Sequence, residues 1–465
     1  MPRLTMSHRT NVAIWGNSNK LLVRRGCVAE PHLRAASNGL DRLIVLQRHL
    51  PGKLSSMATS TLPRTRIPQL NRLQMLGIGA AVIGLALLAV GFTLSPLQFA
   101  ESYIYGFYFA MAFPLGCLGF LMLQHLTGGV WGISVRRMLE AGALAMPVFF
   151  ILSLPVIMVA YNGPIRLEHF IYHWADPALI TPGSPEFDPL IAHKVPWMSP
   201  IWFASRMVIY FAIWSTLAIL LRTWSLQQDR GTDAVASATR MRMLSGIGIA
   251  LFVISVTFFA LDVGLSLDAH WYSTMYGAHY MVNAGLSVLA FLLLALNQLR
   301  TAPLIEEHVP TKTFHDLGKL LFAFTVLWTY MSFSQFVITW SGDVAEFTPW
   351  YVKRQEGGWL TLSLMLMAFA FAGPFFALLG RKPKRSLRYL GVIATWILLF
   401  RLVDISWIIL PEFHATISEV SWVNLAAPLG ITGIWLAVWA WNMQQAQLLP
   451  LHDPNFDSLH AGGHH

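Results

Sequence analysis

Apolar residues in this chain gather into long, nearly uninterrupted runs separated by short polar stretches. About ten runs qualify, at 73–93, 102–124, 141–161, 199–221, 244–265, 274–299, 317–339, 359–379, 390–410 and 420–441. A helix needs about 20 residues to cross a ~30 Å hydrocarbon core, and lipid leaves no partner for an unpaired backbone group. The pattern therefore predicts an all-α integral membrane protein of about ten transmembrane helices. Spans two to five and six to nine are of similar size and suggest two four-helix bundles, with the first and last spans peripheral.

Composition agrees: 55% of residues are hydrophobic and 12% charged, too few charges to cover a soluble surface. The net charge of +9 is unevenly spread. Residues 1–56 hold nine basic side chains against Glu30 and Asp41, and the remainder is nearly neutral. That basic stretch has no interleaved aromatics of a nucleic-acid patch, so nucleic acid is not an expected partner. Its arginine-rich balance loosely resembles a transit peptide, and Met57 opens a short lead into the first span, so residues 1–56 read as an extension missing from the mature protein. The expected organisation is then a lead at 57–72, a membrane domain at 73–441 with a long connection at 162–200, and a tail at 442–465. Cys27 and Cys117 form no disulfide framework, CxxC pair or haem-attachment motif.

Arginine and lysine in short loops set orientation. Arg64, Arg66 and Arg72, then Arg136 and Arg137, the 222–242 loop, Arg300 and Lys312, and the 381–388 cluster fall on alternate turns. The other side carries only Arg166, Lys194, Lys353 and Arg354. Both termini and the basic loops are expected in the cytoplasm, with 162–200 outside.

One stretch breaks the apolar pattern. FFALDVGLSLDAHWYSTMYGAHYMVNAG, 258–285, lies in a run from 244 to 299 without lysine or arginine, yet carries Asp262, Asp268, His270, His279 and Asn283. Arg206 and Tyr210 in the fourth span, Gln335 in the seventh and Arg401 with Asp404 in the ninth fall at similar depth in the outer half. His279, Asn283 and Ser287 form one stripe, and Tyr272, Tyr276 and Tyr280 a neighbouring one. Each mid-span charge costs on the order of 2.5–3.5 kcal/mol on insertion scales, so these groups must face one another, water or a ligand. Arg206 and Asp262 read as a balancing pair with Asp262 as a carboxylate relay. Arg401 and Asp404, three apart, can meet on one helix face.

A quinone headgroup needs hydrogen-bond partners for two carbonyls, an apolar lipid-side entrance and a base. Proton conduction needs similar groups in file. Thr325, Thr329, Ser332, Gln335 and Thr339 share a face of span seven, and His315, Asp316 and Lys319 at its cytoplasmic mouth could take up protons, although membrane hydroxyls commonly bond their own backbone. Haem is disfavoured, because His279 is the one deep histidine and facing axial pairs are lacking. His169 and His173 have the spacing of a helical metal pair without a third ligand, so no metal is expected.

HWYSTMYG at 270–277, RMVIYFAIW at 206–214, HDLGKLLFAF at 315–324, WTYMSFSQF at 328–336 and WYVKRQEGGW at 350–359 resemble, in order, the second quinone-binding-type membrane subunit (ActF) of bacterial alternative complex III, over about 70–445. That family is related to polysulfide-reductase (NrfD-type) membrane subunits. The resemblance implies a haem-free membrane subunit of a respiratory quinol:electron-acceptor oxidoreductase that is not an autonomous enzyme. It would lie beside a paralogous membrane subunit, with iron–sulfur clusters and c-type haems in partner subunits, and would contribute a proton path or a quinone-adjacent site. A secondary transporter, with Pro114 and Pro155 breaking spans two and three, and a purely structural scaffold are the alternatives.

Overall fold

The computed structural model describes residues 67–162, 167, 169–231, 233–457 and 459. The expected extension at 1–56, the start at Met57 and Arg166 lie outside them. Among the described residues, nine helices are long and apolar enough to cross a membrane, and one bent pair makes a tenth crossing. The chain is a multi-span, all-α membrane protein.

In chain order the helices are α1 (Pro68–Leu94), α2 (Pro96–Thr127), α3 (Val130–Ala143), α4 (Met146–Tyr161), α5 (Pro200–Asp229), α6 (Ala234–Val263), α7 (Met275–Leu299), α8 (Thr311–Gly342), α9 (Trp359–Leu379), α10 (Leu387–Ile409) and α11 (Val423–Met443). Helices α2–α6 form one bundle and α7–α10 the other, and α2 and α7 pack together at the centre. That position explains why α2 and α7 are the most completely buried of the nine full-length spans: apolar and aromatic side chains surround them on all sides.

Outside the bundles, α1 and α11 pack along a seam of small residues. Gly77, Gly84 and Gly91 recur every seventh residue on α1, where Gly77 faces Gly433, Gly84 faces Gly430 and Gly91 faces Val423 of α11. A Cβ on Gly84 would stand 2.3 Å from the Gly430 Cα, so these backbones approach only because neither residue has a side chain. In lipid, where apolar burial gives no driving force between helices, such close contact is what holds a pair together.

Alternating helix directions place the connections at 162–199, 264–274, 343–358 and 410–422 on one face, here the loop face. Those at 230–233, 300–310 and 380–386 lie on the opposite, basic face.

The third crossing departs from expectation. It begins at Val130 instead of 141, and bends by 40° at Leu144–Ala145 between α3 and α4. Pro114 and Pro155, expected as break points, both lie inside continuous helices. Arg136 and Arg137 are consequently not loop residues but are buried on α3. They converge with Arg222 on Glu140: Arg137 Nη1 and Arg222 Nη1 each lie 2.7 Å from Oε2, Arg136 Nε lies 3.4 Å from Oε1, and Ser225 Oγ donates at 2.5 Å. Asp229 pairs with Arg137, and Asp453 reaches Arg136 Nη1 at 2.5 Å. Three arginines and three carboxylates thus compensate one another, and Asp453 ties the C-terminal residues to the basic face. Their charge had marked a loop; their pairing makes them core.

Candidate functional site

Polar groups expected to share one layer separate into two constellations in the helices, with a cap over the loop face. The first joins α5 and α6. Arg206 Nε and Nη2 donate to the two oxygens of Asp262 at 2.8 and 2.7 Å, and Tyr210 adds a third hydrogen bond at 2.8 Å. Arg206 Nη1 donates to the Trp197 carbonyl at 2.7 Å, and its guanidinium lies 4.4 Å from the Trp197 ring centroid. The arginine fork matches the carboxylate, giving the bidentate geometry of a strong charge-assisted pair. The geometry is that of a clamp.

The second constellation is built around Asp404 in the α7–α10 bundle. Asn283 Nδ2 at 2.5 Å, Trp328 Nε1 at 3.1 Å and Arg401 Nη1 at 3.2 Å all donate to Oδ2. The Arg401 guanidinium lies 4.0 Å from the Trp328 ring centroid. One turn before Asn283, His279 Nε2 lies 2.9 Å from Ser332 Oγ, which itself donates to the Trp328 carbonyl at 3.0 Å. With the hydroxyl proton spent on that carbonyl, Nε2 must be the donor, and in the neutral ring Nδ1 is the acceptor.

Of these groups His279, Trp328, Ser332 and Asp404 line the inner end of a cavity of about 400 Å³ between α7, α8, α9 and α10. Tyr276, His279, Trp328, Ser332, Gln335 and Asp404 contribute to its polar edge; Phe333, Leu364 and Met367, which are exposed on the bilayer-facing surface, form its mouth. The mouth exists because α8 packs chiefly on the later part of α9. Across the cavity α9 carries a π-helical turn, Leu366–Ala372, from which Leu366, Met367 and Phe371 face the space. Such turns recur at functional sites because they re-aim side chains within a continuous helix.

Arg354 closes the loop-face end. Its guanidinium lies 3.3 Å from the Trp350 ring centroid and donates to the carbonyls of Trp350 (2.7 Å), Trp407 (3.2 Å) and Ile408 (2.6 Å) and to Glu412 (2.8 Å). In the sequence it looks like one of the loop cations. The signal available was WYVKR, an arginine four residues after a tryptophan; its other partners come from α10 and the turn that follows.

Asp268 and His270 belong to the cap. Asp268 accepts from the His270 and Trp271 N–H groups and pairs with Lys353, and His270 Nε2 lies 2.7 Å from Asp188. Burial would push the Asp188 carboxyl up, but hydrogen bonds from His270 and from the Ile191 and Leu190 N–H groups outweigh it and hold it below its ordinary value. Burial would likewise lower Lys353; Glu412 and Asp268 more than offset this and raise it. Tyr272 lies before α7, exposed against Phe347, and so drops out of the expected tyrosine stripe.

Tyr276 connects the two constellations. At Gly264, two residues after Asp262, a Cβ would stand 2.5 Å from the Tyr276 hydroxyl and 2.9 Å from Tyr108 Cζ. Tyr172 donates to the adjacent Val263 carbonyl at 3.1 Å. Arg206, Tyr210 and Asp262 themselves lie off the cavity lining.

The span-seven hydroxyls are mostly self-satisfied: Thr325, Thr329 and Ser332 each donate to the carbonyl four residues earlier. His315, Asp316 and Lys319 sit at the opposite, basic-face end of α8, where Lys319 and Asp316 pair at 3.0 Å. His173 opens a short 3-10 turn and His169 lies before it in a bend, so the two do not share a helix. Among the described residues, no group of three or more His, Cys, Asp or Glu side chains is placed to hold a metal ion.

No protein-family model matches the chain, and a search of curated proteins finds no match.

Proposed function

We propose that the α7–α10 cavity takes the headgroup of a quinone or quinol, as part of a membrane subunit of a respiratory quinol:electron-acceptor oxidoreductase. One observation carries the reading: the cavity joins an apolar, bilayer-facing mouth to a polar end holding His279 and Asp404. A quinone is amphipathic in the same sense, with an isoprenoid tail that belongs in lipid and a ring whose two oxygens need hydrogen-bond partners. On quinol oxidation two protons leave the ring oxygens while two electrons pass to redox groups in partner subunits. His279 can accept one proton at Nδ1, and Asp404, whose three donors all occupy Oδ2, has Oδ1 to accept the other.

The resemblance to the alternative complex III subunit supports the same assignment and adds the iron–sulfur, c-haem and paralogous membrane subunits as partners. It also implies a bacterial inner membrane for this chain, with the basic face in the cytoplasm. A proton path fits the tyrosines around Gly264, which lie between the cavity and the Asp262 clamp. The transporter reading has less support, since the bend at Leu144–Ala145 lies away from the cavity.

A photoreactive azidoquinone tests the proposal. Labelling of the purified protein should map to α8 and α9, be displaced by excess unlabelled quinone, and fall at least tenfold when Leu364→Trp fills the mouth. Labelling that spares these helices, or that Leu364→Trp leaves unchanged in a folded protein, overturns the assignment. Co-purification of c-haem and iron–sulfur subunits from native membranes tests the complex separately.

A further inference from the structure

At the basic-face end of α8 the connection to α10 folds back onto the helix. Gly318 makes this possible: a Cβ there would stand 3.1 Å from Lys384 Cγ and 3.3 Å from Leu390 Cδ2, so the Lys384 stem lies directly across the helix surface. His315, Gly318, Lys319 and Phe322 recur at positions that share one helical face, and Lys384 rests on that face with its ammonium 5.1 Å from the Phe322 ring centroid. The lysine is thus placed by backbone contact and an aromatic ring and does not trail freely into water.

The charges gathered there do not balance. Lys319 acts electrostatically on Lys384, and Lys319, Arg381 and Arg385 all act on His315. Asp316 is the carboxylate of the group, and it is already paired with Lys319 at 3.0 Å. Burial, then the Lys319 charge, lower the Lys384 ammonium below its ordinary value. His315 Nδ1 is buried and makes no hydrogen bond among the described residues. Phe376 and Leu379, at the end of α9 leading into this cluster, are 71% and 57% exposed on the bilayer-facing surface. The cationic group therefore stands at the polar end of an apolar, lipid-facing ridge, where a phospholipid phosphate would meet it with its acyl chains alongside α9.

We propose that Lys319, Lys384 and His315, with Arg381 and Arg385 at the rim, form a binding site for the phosphate of an anionic phospholipid. Charge complementarity and the adjoining apolar ridge select a lipid over a soluble anion, whose tail-less phosphate would leave Phe376 and Leu379 uncovered. The site is independent of the quinone cavity, which lies toward the other end of α8.

Native mass spectrometry of the full-length protein, exchanged against cardiolipin, phosphatidylglycerol or phosphatidylcholine, tests it. Wild type should retain the anionic lipids in preference to phosphatidylcholine. Each basic residue near a membrane surface contributes about 1 kcal/mol toward anionic lipid, so Lys319→Ala with Lys384→Ala should weaken retention by about 30-fold. Gly318→Leu, which keeps every charge but displaces the Lys384 stem, should weaken it in the same direction. Arg240→Ala with Arg242→Ala, removing an exposed basic pair elsewhere, should leave it unchanged. Equal retention of anionic lipid by wild type and the double lysine variant overturns the proposal, and so does full displacement of the lipid by millimolar inorganic phosphate, which would mark a phosphate site instead.

Discussion

Arg206 and Asp262 offer a clean separation of a structural clamp from a proton relay. Arg206→Ala deletes two charge-assisted hydrogen bonds of 2.8 and 2.7 Å and leaves a carboxylate that is 3% exposed with Tyr210 as its remaining donor. Stranding one partner of a buried pair costs about 3–5 kcal/mol, which shifts the folding equilibrium by two to nearly four decades. Replacing both charges, as in Arg206→Met with Asp262→Leu, removes the stranded charge. Some cost remains, because Tyr210 and the Trp197 carbonyl each lose a partner, but at least about 2 kcal/mol of the single-variant loss should return. Reversible unfolding in lipid bicelles with increasing SDS, run as a double-mutant cycle, measures both values. A loss below about 1 kcal/mol for Arg206→Ala, or a double variant no more stable than the single, would refute the buried-clamp reasoning. The same double variant decides chemistry: a folded protein with unchanged quinol turnover and proton release assigns Asp262 to architecture, and a folded but inactive one makes it a relay.

Two further outcomes follow from other parts of the fold. Glu140→Gln leaves Arg136, Arg137 and Arg222 facing a neutral partner and should cost about 3–5 kcal/mol in the same unfolding assay, whereas Glu140→Asp, which keeps the charge, should cost less; equal loss in both would show that shape, not charge, holds the cluster. Gly84→Leu cannot be accommodated 2.3 Å from Gly430 and should pry α1 from α11, seen as new protease cleavage or cysteine accessibility along α11 while the two bundles remain folded; unchanged accessibility would mean that the seam tolerates separation.

Much of the architecture was legible because lipid enforces it. Run length alone marked the crossings, and the cost of a lone charge in hydrocarbon required Arg206 to find Asp262 and Arg401 to find Asp404, as both do at hydrogen-bond distance. What escaped were features that depend on tertiary partners. Arg136 and Arg137 look like any basic loop dipeptide until Glu140, Arg222 and Asp229 are brought around them from α3 and α5. Arg354 reads as a loop cation because three of its four acceptors are backbone carbonyls, two of them on α10, which have no sequence signature. Equal depth also misled: Asp262 and Asp404 were read as one layer, but depth says nothing about azimuth, and the two carboxylates belong to different bundles.

The π turn in α9 sets the phase of one helix against itself. Its wider ring advances the chain by one residue without a compensating rotation, so the halves before and after Leu366–Ala372 are keyed independently to their surroundings. Deleting one residue from that turn would restore ordinary winding and leave both halves facing as they do, whereas deleting one ahead of it, such as Met365, would swing Leu360, Ser363 and Leu364 by about 100° around the axis, off the cavity, while Gly373–Leu379 stayed in register with α8. The wall of the cavity is therefore set by counting as much as by chemistry. A one-residue change in the length of α9 ahead of the π turn, rather than any substitution along it, is the shortest route to a differently shaped mouth.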